Sequence, residues 1–301
     1  MSLIVTGSIG IDTIETPDGT KADSVLGGSS IYFAAAASYF GDVRLVGAVG
    51  EDFPEEFINT FKHFDVDTTG LEVRKGSKTF RWHGKYMENM NDRETISVDL
   101  NVLAEALPPV PEIYKDSEYV FLANTHPAGQ MALLDNFPKT KLVVADTMDL
   151  WINTEKETLM ALLAKIDGLV LNDSEAELLT GESNVIIAAD KILEMGPKFV
   201  VVKKGAHGAY LRHADGFCAI PAFPAKTVND PTGAGDSFAG GMMGYLTAAD
   251  DISFATLRKA IAYGTVVASF NIEDFSLGRM ETLKRDELDS RYESFCGMLR
   301  I

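Results

Sequence analysis

Short apolar runs alternate with helical patterns along most of the chain. The runs are apolar at odd and even positions alike, which is typical of strands buried on both faces of a parallel sheet. The predicted strands are Leu3–Ser8, Val43–Val49, Tyr119–Ala123, Leu142–Asp146, Gly168–Asn172 and Phe199–Lys203. The helical patterns are Ser30–Phe40, Glu55–Phe64, Asn153–Lys165, Ser174–Thr180 and Val185–Met195. This βαβ rhythm predicts an α/β fold with a doubly wound, mostly parallel sheet and ligand sites beyond the strand carboxyl ends.

Two segments interrupt this rhythm. Residues 13–25 contain the turn Pro17-Asp18-Gly19 between two polar strands, and residues 78–98 alternate roughly between apolar and polar side chains. Together they predict a small separate sheet inserted into a single domain that covers residues 1–301. The alternative is an edge hairpin of the main sheet. Two C-terminal helices are predicted as well, at Ser253–Phe270 and Asp286–Leu299.

The stretch Asp230–Gly241 reads Asp-Pro-Thr-Gly-Ala-Gly-Asp-Ser-Phe-Ala-Gly-Gly and places a glycine-rich turn before a predicted helix, Ser237–Leu246. Such a turn allows a ligand to come close, and a helix N-terminus attracts anions. Two carboxylates beside an anion site, Asp230 and Asp236, make sense if a metal intervenes or if one accepts a proton from an attacking hydroxyl. The stretch therefore indicates phosphoryl transfer. The alternative is a connector in which Asp236 only caps the helix.

Composition limits the partners and the location of the protein. The chain has 301 residues, 46% of them hydrophobic, and a formal net charge of −17. Such a surface repels nucleic acids and anionic membranes, so a nucleotide site needs a local positive source such as a helix N-terminus or Mg²⁺. The two cysteines form no disulfide framework, no leader is apparent, and the longest apolar stretch, Ile31–Phe40, is too short for a span. We expect a cytoplasmic protein with no nucleic acid and no membrane partner.

Four segments resemble the motifs of the ribokinase-like (PfkB) family of sugar and nucleoside kinases. The glycine-rich stretch is similar to the family's C-terminal motif, and Gly27 to Gly41 is similar to its N-terminal Gly-Gly motif with the following alanine-rich helix. Asn172 to Glu175 resembles its Asn-x-x-Glu motif, and Lys203 to Gly208 resembles its nucleotide-loop Gly-x-x-Gly. The segments occur in the family's order. The resemblance implies a ribokinase-like fold, in which the small sheet is a β lid over the substrate.

The resemblance implies an ATP- and Mg²⁺-dependent kinase that acts on an alcohol group of a small polyhydroxylated molecule, a sugar or a nucleoside. Asp236 is the expected catalytic base, and an ordinary aspartate is ionised at pH 7. The backbone N–H groups of Gly233, Ala234 and Gly235 are expected to hold the transferring phosphoryl oxygens.

Asn172 and Glu175 lie three residues apart at a predicted strand-to-helix junction. Oxygen ligands suit Mg²⁺, which keeps most of its waters, and the resemblance implies that these residues hold the ion through water. The alternative is an N-cap asparagine with a solvent-facing glutamate. Asp230 is a further candidate for metal or phosphate binding.

Four more residues are expected on the nucleotide side. Gly205 and Gly208 shape the loop along the nucleotide, and Thr232 belongs to the glycine-rich turn. Lys203 stands where the family often has threonine. It either contacts a phosphate or points to solvent.

The expected substrate residues come from three parts of the chain. The resemblance implies that Asp12 accepts hydrogen bonds from substrate hydroxyls, which suits a polyol. Its alternative role is that of a turn-forming aspartate. Gly27 and Gly28 bring the backbone close to the ring, and Asn124 ends a predicted strand within reach of the substrate. Tyr32 is the fifth candidate.

Several positions depart from the pattern of ribokinases themselves. Ser29 and Tyr32 replace a sugar-binding lysine and asparagine, and Gly10 replaces another asparagine. The loss of polar donors and the presence of Tyr32, Phe33 and Trp82 favour a flatter or more apolar substrate, such as a nucleoside whose base stacks on an aromatic ring. An inositol or another sugar stays open.

Other classes fit the sequence less well. A nicotinamide oxidoreductase needs Gly-x-Gly-x-x-Gly after the first strand, which Gly7-Ser8-Ile9-Gly10 does not match, and no P-loop motif exists. A non-catalytic regulatory protein that binds a sugar or nucleoside on the same fold is the alternative function. The sequence also leaves open the phosphoryl donor, a monovalent cation requirement and a homodimer through the lid.

Overall fold

The computed structural model describes residues 2–300, which form two sheets and eleven α-helices. The strands are β1 (Leu3–Thr6), β2 (Gly10–Glu15), β3 (Lys21–Gly27), β4 (Val43–Gly50), β5 (Asp67–Arg74), β6 (Phe80–Tyr86), β7 (Arg93–Asp99), β8 (Tyr119–Leu122), β9 (Leu142–Asp146), β10 (Gly168–Asn172), β11 (Phe199–Lys203), β12 (Ala209–His213) and β13 (Gly216–Ile220). The helices are α1 (Ser29–Ser38), α2 (Glu55–His63), α3 (Pro127–Leu134), α4 (Asp149–Thr154), α5 (Lys156–Leu163), α6 (Asp173–Thr180), α7 (Val185–Glu194), α8 (Ala234–Ala249), α9 (Phe254–Asn271), α10 (Gly278–Thr282) and α11 (Arg285–Met298). Within this part of the chain, no helix has the length and apolar character of a membrane span.

The main sheet has nine strands in the order β13-β12-β11-β10-β9-β8-β1-β4-β5. Pairing is parallel from β11 to β5, and the hairpin β12–β13 is added antiparallel at one edge. Helices cover both faces, so neighbouring residues of one strand enter different cores. Val5 belongs to the core that contains residues of α1, α8 and α9, while Ile4 belongs to the core that contains residues of α5 and α7. The expected doubly wound α/β fold is confirmed.

Helices α1 and α8 pack closely enough to fix where α8 begins. A Cβ atom on Gly240 would overlap the Phe33 carbonyl of α1, and one on Gly244 would lie 2.8 Å from the Phe40 ring. The alanine-rich body of α1 (Ala34–Ala37) is buried against this surface. This contact holds the N-terminus of α8 at the carboxyl edge of the main sheet.

The second sheet is separate and has the order β3-β2-β6-β7. Its centre is a parallel pair in which Asp12 of β2 lies beside Trp82 of β6. The alternative of an edge hairpin on the main sheet is therefore wrong. Strand β7 is exposed along its whole length.

Most predicted helices differ from the observed ones by one or two residues at an end, and two differ by more. Helix α8 begins at Ala234 and not at Ser237, because Gly233 takes the left-handed conformation (φ 73°) and serves as the N-cap. The predicted helix Asn153–Lys165 is two helices, α4 and α5, since the backbone of Glu155 leaves the helical region. The first difference moves Gly235 and Asp236 from a loop into the first helical turn.

Candidate active site

Three neighbouring strands end in polar side chains at one edge of the main sheet. Asp146 ends β9, Asn172 ends β10 and Lys203 ends β11. Asn172 and Lys203 are paired directly across the ladder. The N-terminus of α8 lies against the same edge, because a Cβ atom on Gly235 would lie 2.8 Å from the Lys203 Nζ. The structure thus brings together residues that are far apart in sequence.

Lys203 points into the protein. Its Nζ lies 3.7 Å from Asp146 Oδ2, and its side chain is largely buried. Burial lowers its pKa, but the surrounding carboxylates of Asp146, Glu175 and Asp236 outweigh that effect and raise the pKa above its usual value. Lys203 is therefore a fixed cation among three acids. The alternative in which it points to solvent is wrong.

Asn172 and Glu175 form a capping box at the start of α6. The Asn172 Oδ1 accepts the N–H of Glu175 at 2.8 Å, and Glu175 Oε2 accepts the N–H of Asn172 at 2.8 Å. Asn172 is indeed an N-cap, but Glu175 is only 8% exposed and does not face solvent. Burial raises the pKa of Glu175 to about 7, with a further contribution from the charge of Asp146.

Asp146 is a site residue that the sequence analysis missed. It is 5% exposed, and its Oδ1 accepts the N–H of Thr147 at 2.9 Å. Burial raises its pKa, and the nearby Lys203 ammonium opposes that rise. The available signal was its position at the end of a predicted buried strand, which is the signal that selected Asn172.

The N–H groups of Gly233, Ala234 and Gly235 were expected to hold the phosphoryl oxygens, and the structure differs at Ala234. The Ala234 N–H donates to the Pro231 carbonyl at 3.1 Å, so it is already used inside the turn. The N–H groups of Gly235 and Asp236 are at positions where a helix leaves its donors without helical partners. Together with the partial positive charge of the helix end, they form an anion site beside the Lys203 ammonium.

Asp236 is half-buried in this turn, and its ionisation is perturbed. The pKa of Asp236 is raised to about 8: burial is the largest cause, the charges of Asp146 and Glu175 add to the rise, and those of Lys203 and Arg93 oppose it. Asp236 therefore does not have the pKa of an ordinary aspartate, because burial and then the nearby carboxylates favour its protonated form. Their protons are released as a coupled set.

Asp230 and Thr232 brace the turn. Asp230 is completely buried: its Oδ1 accepts the Thr232 N–H at 2.8 Å and its Oδ2 accepts the Ser276 N–H at 3.2 Å. The Thr232 hydroxyl bonds with that of Tyr86 at 3.0 Å, and the Thr232 carbonyl accepts from Asn271. These bonds give Asp230 no exposed oxygen for a metal or a phosphate. The structure shows a bracing role for Asp230, and the expected metal or phosphate role stays a prediction.

The nucleotide-loop glycines lie beyond β11 and next to Lys203. Gly205 begins a short 3₁₀ turn with φ 51°, and Gly208 ends it with φ 90°. A Cβ atom on Gly208 would overlap the Ile220 carbonyl, and one on Gly205 would overlap the Asn91 side chain from the β6–β7 turn. The second sheet therefore touches this loop.

Asp12 lies inside strand β2, so it does not form a turn. It is 4% exposed, and within residues 2–300 its Oδ1 has no hydrogen-bond partner. Burial raises its pKa to about 7, and the charge of Asp230 adds to the rise. Gly27 makes room for this carboxylate, because a Cβ there would overlap it. Gly28 (φ 101°) packs on the backbone of Ser8–Gly10.

The remaining substrate candidates are more enclosed than expected. Tyr32 is buried under Gly233, and within the described residues its hydroxyl has no partner. Phe33 stacks on Phe121 in the core, with ring centroids 4.2 Å apart. Neither ring can stack on a substrate, which corrects the sequence interpretation. The Asn124 side chain accepts from Trp151 Nε1 at 2.9 Å and donates to the Met148 sulfur.

Comparison with known proteins places this site in a family. Residues 2–283 match the family described as pfkB family carbohydrate kinase. A cytidine kinase of Thermococcus kodakarensis is 30% identical over 249 residues, which cover 81% of this chain and 87% of that protein.

Solved structures share the fold over nearly the whole chain. A Burkholderia thailandensis nucleoside kinase in complex with inosine superposes with a TM-score of 0.79 at 21% identity and covers 98% of both chains. An aminoimidazole riboside kinase from Salmonella enterica, complexed with aminoimidazole riboside and an ATP analogue, gives 0.78 at 21% identity, with 97% and 100% covered. The chain belongs to the pfkB carbohydrate kinase family and is a phosphotransferase with a hydroxyl acceptor.

Proposed function

We propose that the protein uses Mg²⁺ and ATP to phosphorylate a hydroxyl group of a nucleoside or related sugar. The observation that carries this proposal is the position of Asp236 in the first turn of α8, beside Lys203, Asp146 and Glu175. An anion site, a fixed cation and a base thus occur within one small volume. The names of the relatives, a cytidine kinase and a nucleoside kinase among them, support a nucleoside.

The chemistry follows from this arrangement. The γ-phosphoryl group of ATP lies against the N–H groups of Gly235 and Asp236, and the Lys203 ammonium offsets its charge. The substrate oxygen attacks the γ-phosphorus in line as the bond to the ADP oxygen breaks. The hydroxyl proton passes to an Asp236 carboxylate oxygen. A base whose pKa lies near the working pH is well matched to this step.

Asn172 and Glu175 fit the expected Mg²⁺. Their donors are oxygens, and the Asn172 Oδ1 and Glu175 carboxylate lie at the edge where the phosphates would lie. When bound, the ion would neutralise phosphate charge. Within residues 2–300 no group of three or more His, Cys, Asp or Glu side chains is arranged to hold a metal directly. The fit is therefore to an ion held through water.

We further propose that the sheet β3-β2-β6-β7 is the lid of this site. Two contacts support it: the Tyr86 hydroxyl bonds with Thr232 in the glycine-rich turn, and Asn91 abuts Gly205 in the nucleotide loop. A cover of this kind excludes water, which would otherwise accept the phosphoryl group. A homodimer through the lid stays a prediction, for which the exposed edge strand β7 is the natural surface.

The test is ADP release from Mg²⁺·ATP with a panel of nucleosides, pentoses, ketohexoses, hexose phosphates and inositols. We expect turnover on one substrate class, lowered about 10²–10⁴-fold in Asp236→Asn. The matched control is Asp286→Asn, an exposed aspartate on α11, which should behave like the wild type. Ligand-induced thermal stabilisation without turnover on any compound would instead favour a non-catalytic binding protein, and near-normal turnover in Asp236→Asn would refute the assigned base.

A further inference from the structure

The inner face of the lid carries the partly exposed aromatic ring of Trp82 directly beside Asp12. Asp12 and Trp82 are direct neighbours across the β2–β6 ladder, so their side chains leave the sheet on the same face. Tyr86 lies four residues further along β6 on that face, and its hydroxyl reaches Thr232. This face of the lid is therefore turned toward the glycine-rich turn of α8.

The ring of Trp82 is held flat against the sheet. A Cβ atom on Gly84 would overlap the six-membered ring of the indole, so the glycine provides the space in which the ring lies. The Trp82 Nε1 donates to Thr95 Oγ1 on β7 at 3.2 Å. The Arg93 guanidinium, 5.9 Å from the ring centroid, adds a cation–π attraction at the edge. One face of the indole rests on backbone, and the side chain stays half-exposed.

We propose that Trp82 is the stacking platform for the flat base of a nucleoside whose sugar hydroxyl binds Asp12. This inference rests on the proposed kinase function and names the substrate class of the same site. Neighbouring strands are about 4.8 Å apart, so a hydroxyl acceptor and an aromatic surface lie side by side. That pair matches a molecule with a polyol at one end and an aromatic ring at the other. A simple sugar would use Asp12 and leave the indole uncovered.

The first test compares substrates with and without a base. For Trp82→Ala we expect kcat/KM for cytidine, inosine and adenosine to fall roughly tenfold to hundredfold, as for other bases stacked on aromatic side chains, while that for ribose is unchanged. Trp82→Phe should recover most of the loss. His83→Ala, on the outer face of the same strand, is the matched control. An equal loss for ribose and nucleosides, no loss, or turnover of base-free sugars alone would overturn the proposal.

The second test measures binding without turnover. The chain has two tryptophans, Trp82 and Trp151, and a base stacked on an indole quenches its fluorescence. Titration with each nucleoside in the absence of ATP should quench the wild type more than Trp82→Phe. Quenching that depends on Trp82, without turnover, would refute the kinase function but support base stacking on Trp82. Turnover of nucleosides without such quenching would refute base stacking on Trp82 but support the kinase function.

Discussion

The two ends of the candidate site, the proposed phosphoryl end and the proposed substrate end, handle buried charge in opposite ways. At the phosphoryl end, the acids Asp146, Glu175 and Asp236 surround the Lys203 ammonium beside a helix N-terminus. At the substrate end, Asp12 has no cation beside it, and both its Oδ1 and the Tyr32 hydroxyl have no partner within residues 2–300. The protein thus supplies its own counter-charge where we propose that the phosphoryl group binds. It leaves hydrogen-bonding capacity where a polyol can supply the missing donors and acceptors.

The largest expected effect is on turnover, and it distinguishes two glycines at the phosphoryl end, one needed for activity and one for stability. A side chain on Gly235 meets only the flexible end of Lys203, so Gly235→Val should fold but block the anion site and reduce turnover more than about 10³-fold. Gly233 has φ 73° and lies on the Tyr32 ring, so Gly233→Ala should lower Tm by several degrees. Kinetics and thermal unfolding of both variants check this. An active Gly235→Val variant would contradict the proposal that the N-terminus of α8 binds the phosphoryl group.

The next effect concerns the substrate end. Asp12→Asn keeps the shape but loses the charge, so kcat/KM for the acceptor should fall roughly tenfold to hundredfold with little change in the KM for ATP. The pKa of Asp12 is about 7 in the folded protein and near 4 when unfolded. The folded state therefore holds the proton more tightly, and stability falls as pH rises from about 4 to 7.

The same substitution should consequently stabilise the protein at pH 8, by about 1 kcal/mol or more in the free energy of unfolding, and change little at pH 4. Denaturant unfolding at the two pH values measures this. A variant less stable than the wild type at pH 8 would mean that the carboxylate has a favourable partner in the free protein.

A smaller effect tests the metal assignment at the phosphoryl end. Glu175→Gln keeps an oxygen but loses the charge, so the Mg²⁺ concentration for half-maximal activity should rise about tenfold. The control is Glu177→Gln, an exposed residue of the same helix. An unchanged Mg²⁺ requirement in both variants would refute the proposal that Glu175 helps to hold the metal.

The sequence predicted the main sheet better than the lid or the ionisation of the site. Strands β9, β10 and β11 have the predicted bounds, because buried parallel strands are apolar on both faces and end sharply at polar residues. The start of α8 was placed three residues late, since the local glycines favour a turn, whereas in the structure Gly233 serves as the N-cap and the helix begins at Ala234. Trp82 and Tyr32 were equivalent as aromatic residues, and only the tertiary structure separates the half-exposed Trp82 ring from the buried Tyr32 ring.

The pKa of Asp236 had no local sequence signal. It depends first on burial and then on the charges of two other acids, a lysine and an arginine, which come from β9, α6, β11 and β7. The motifs selected Asp236 and Glu175 individually, and Asp146 was absent from the set although it contributes strongly to the charge of the site. Such coupling becomes visible only when the strand ends are brought to one edge of the sheet.

The most direct test of the account is the pH dependence of kcat/KM in the wild type, Asp146→Asn and Lys203→Met. Since Asp236 must be ionised to accept a proton, activity should rise with pH through about 8. Loss of the Asp146 charge lowers the pKa of Asp236, and loss of the Lys203 charge raises it. The inflection should therefore move to lower pH in Asp146→Asn and to higher pH in Lys203→Met, by about one unit each. Profiles that stay in place in both variants would contradict the claim that this cluster sets the ionisation of the catalytic base.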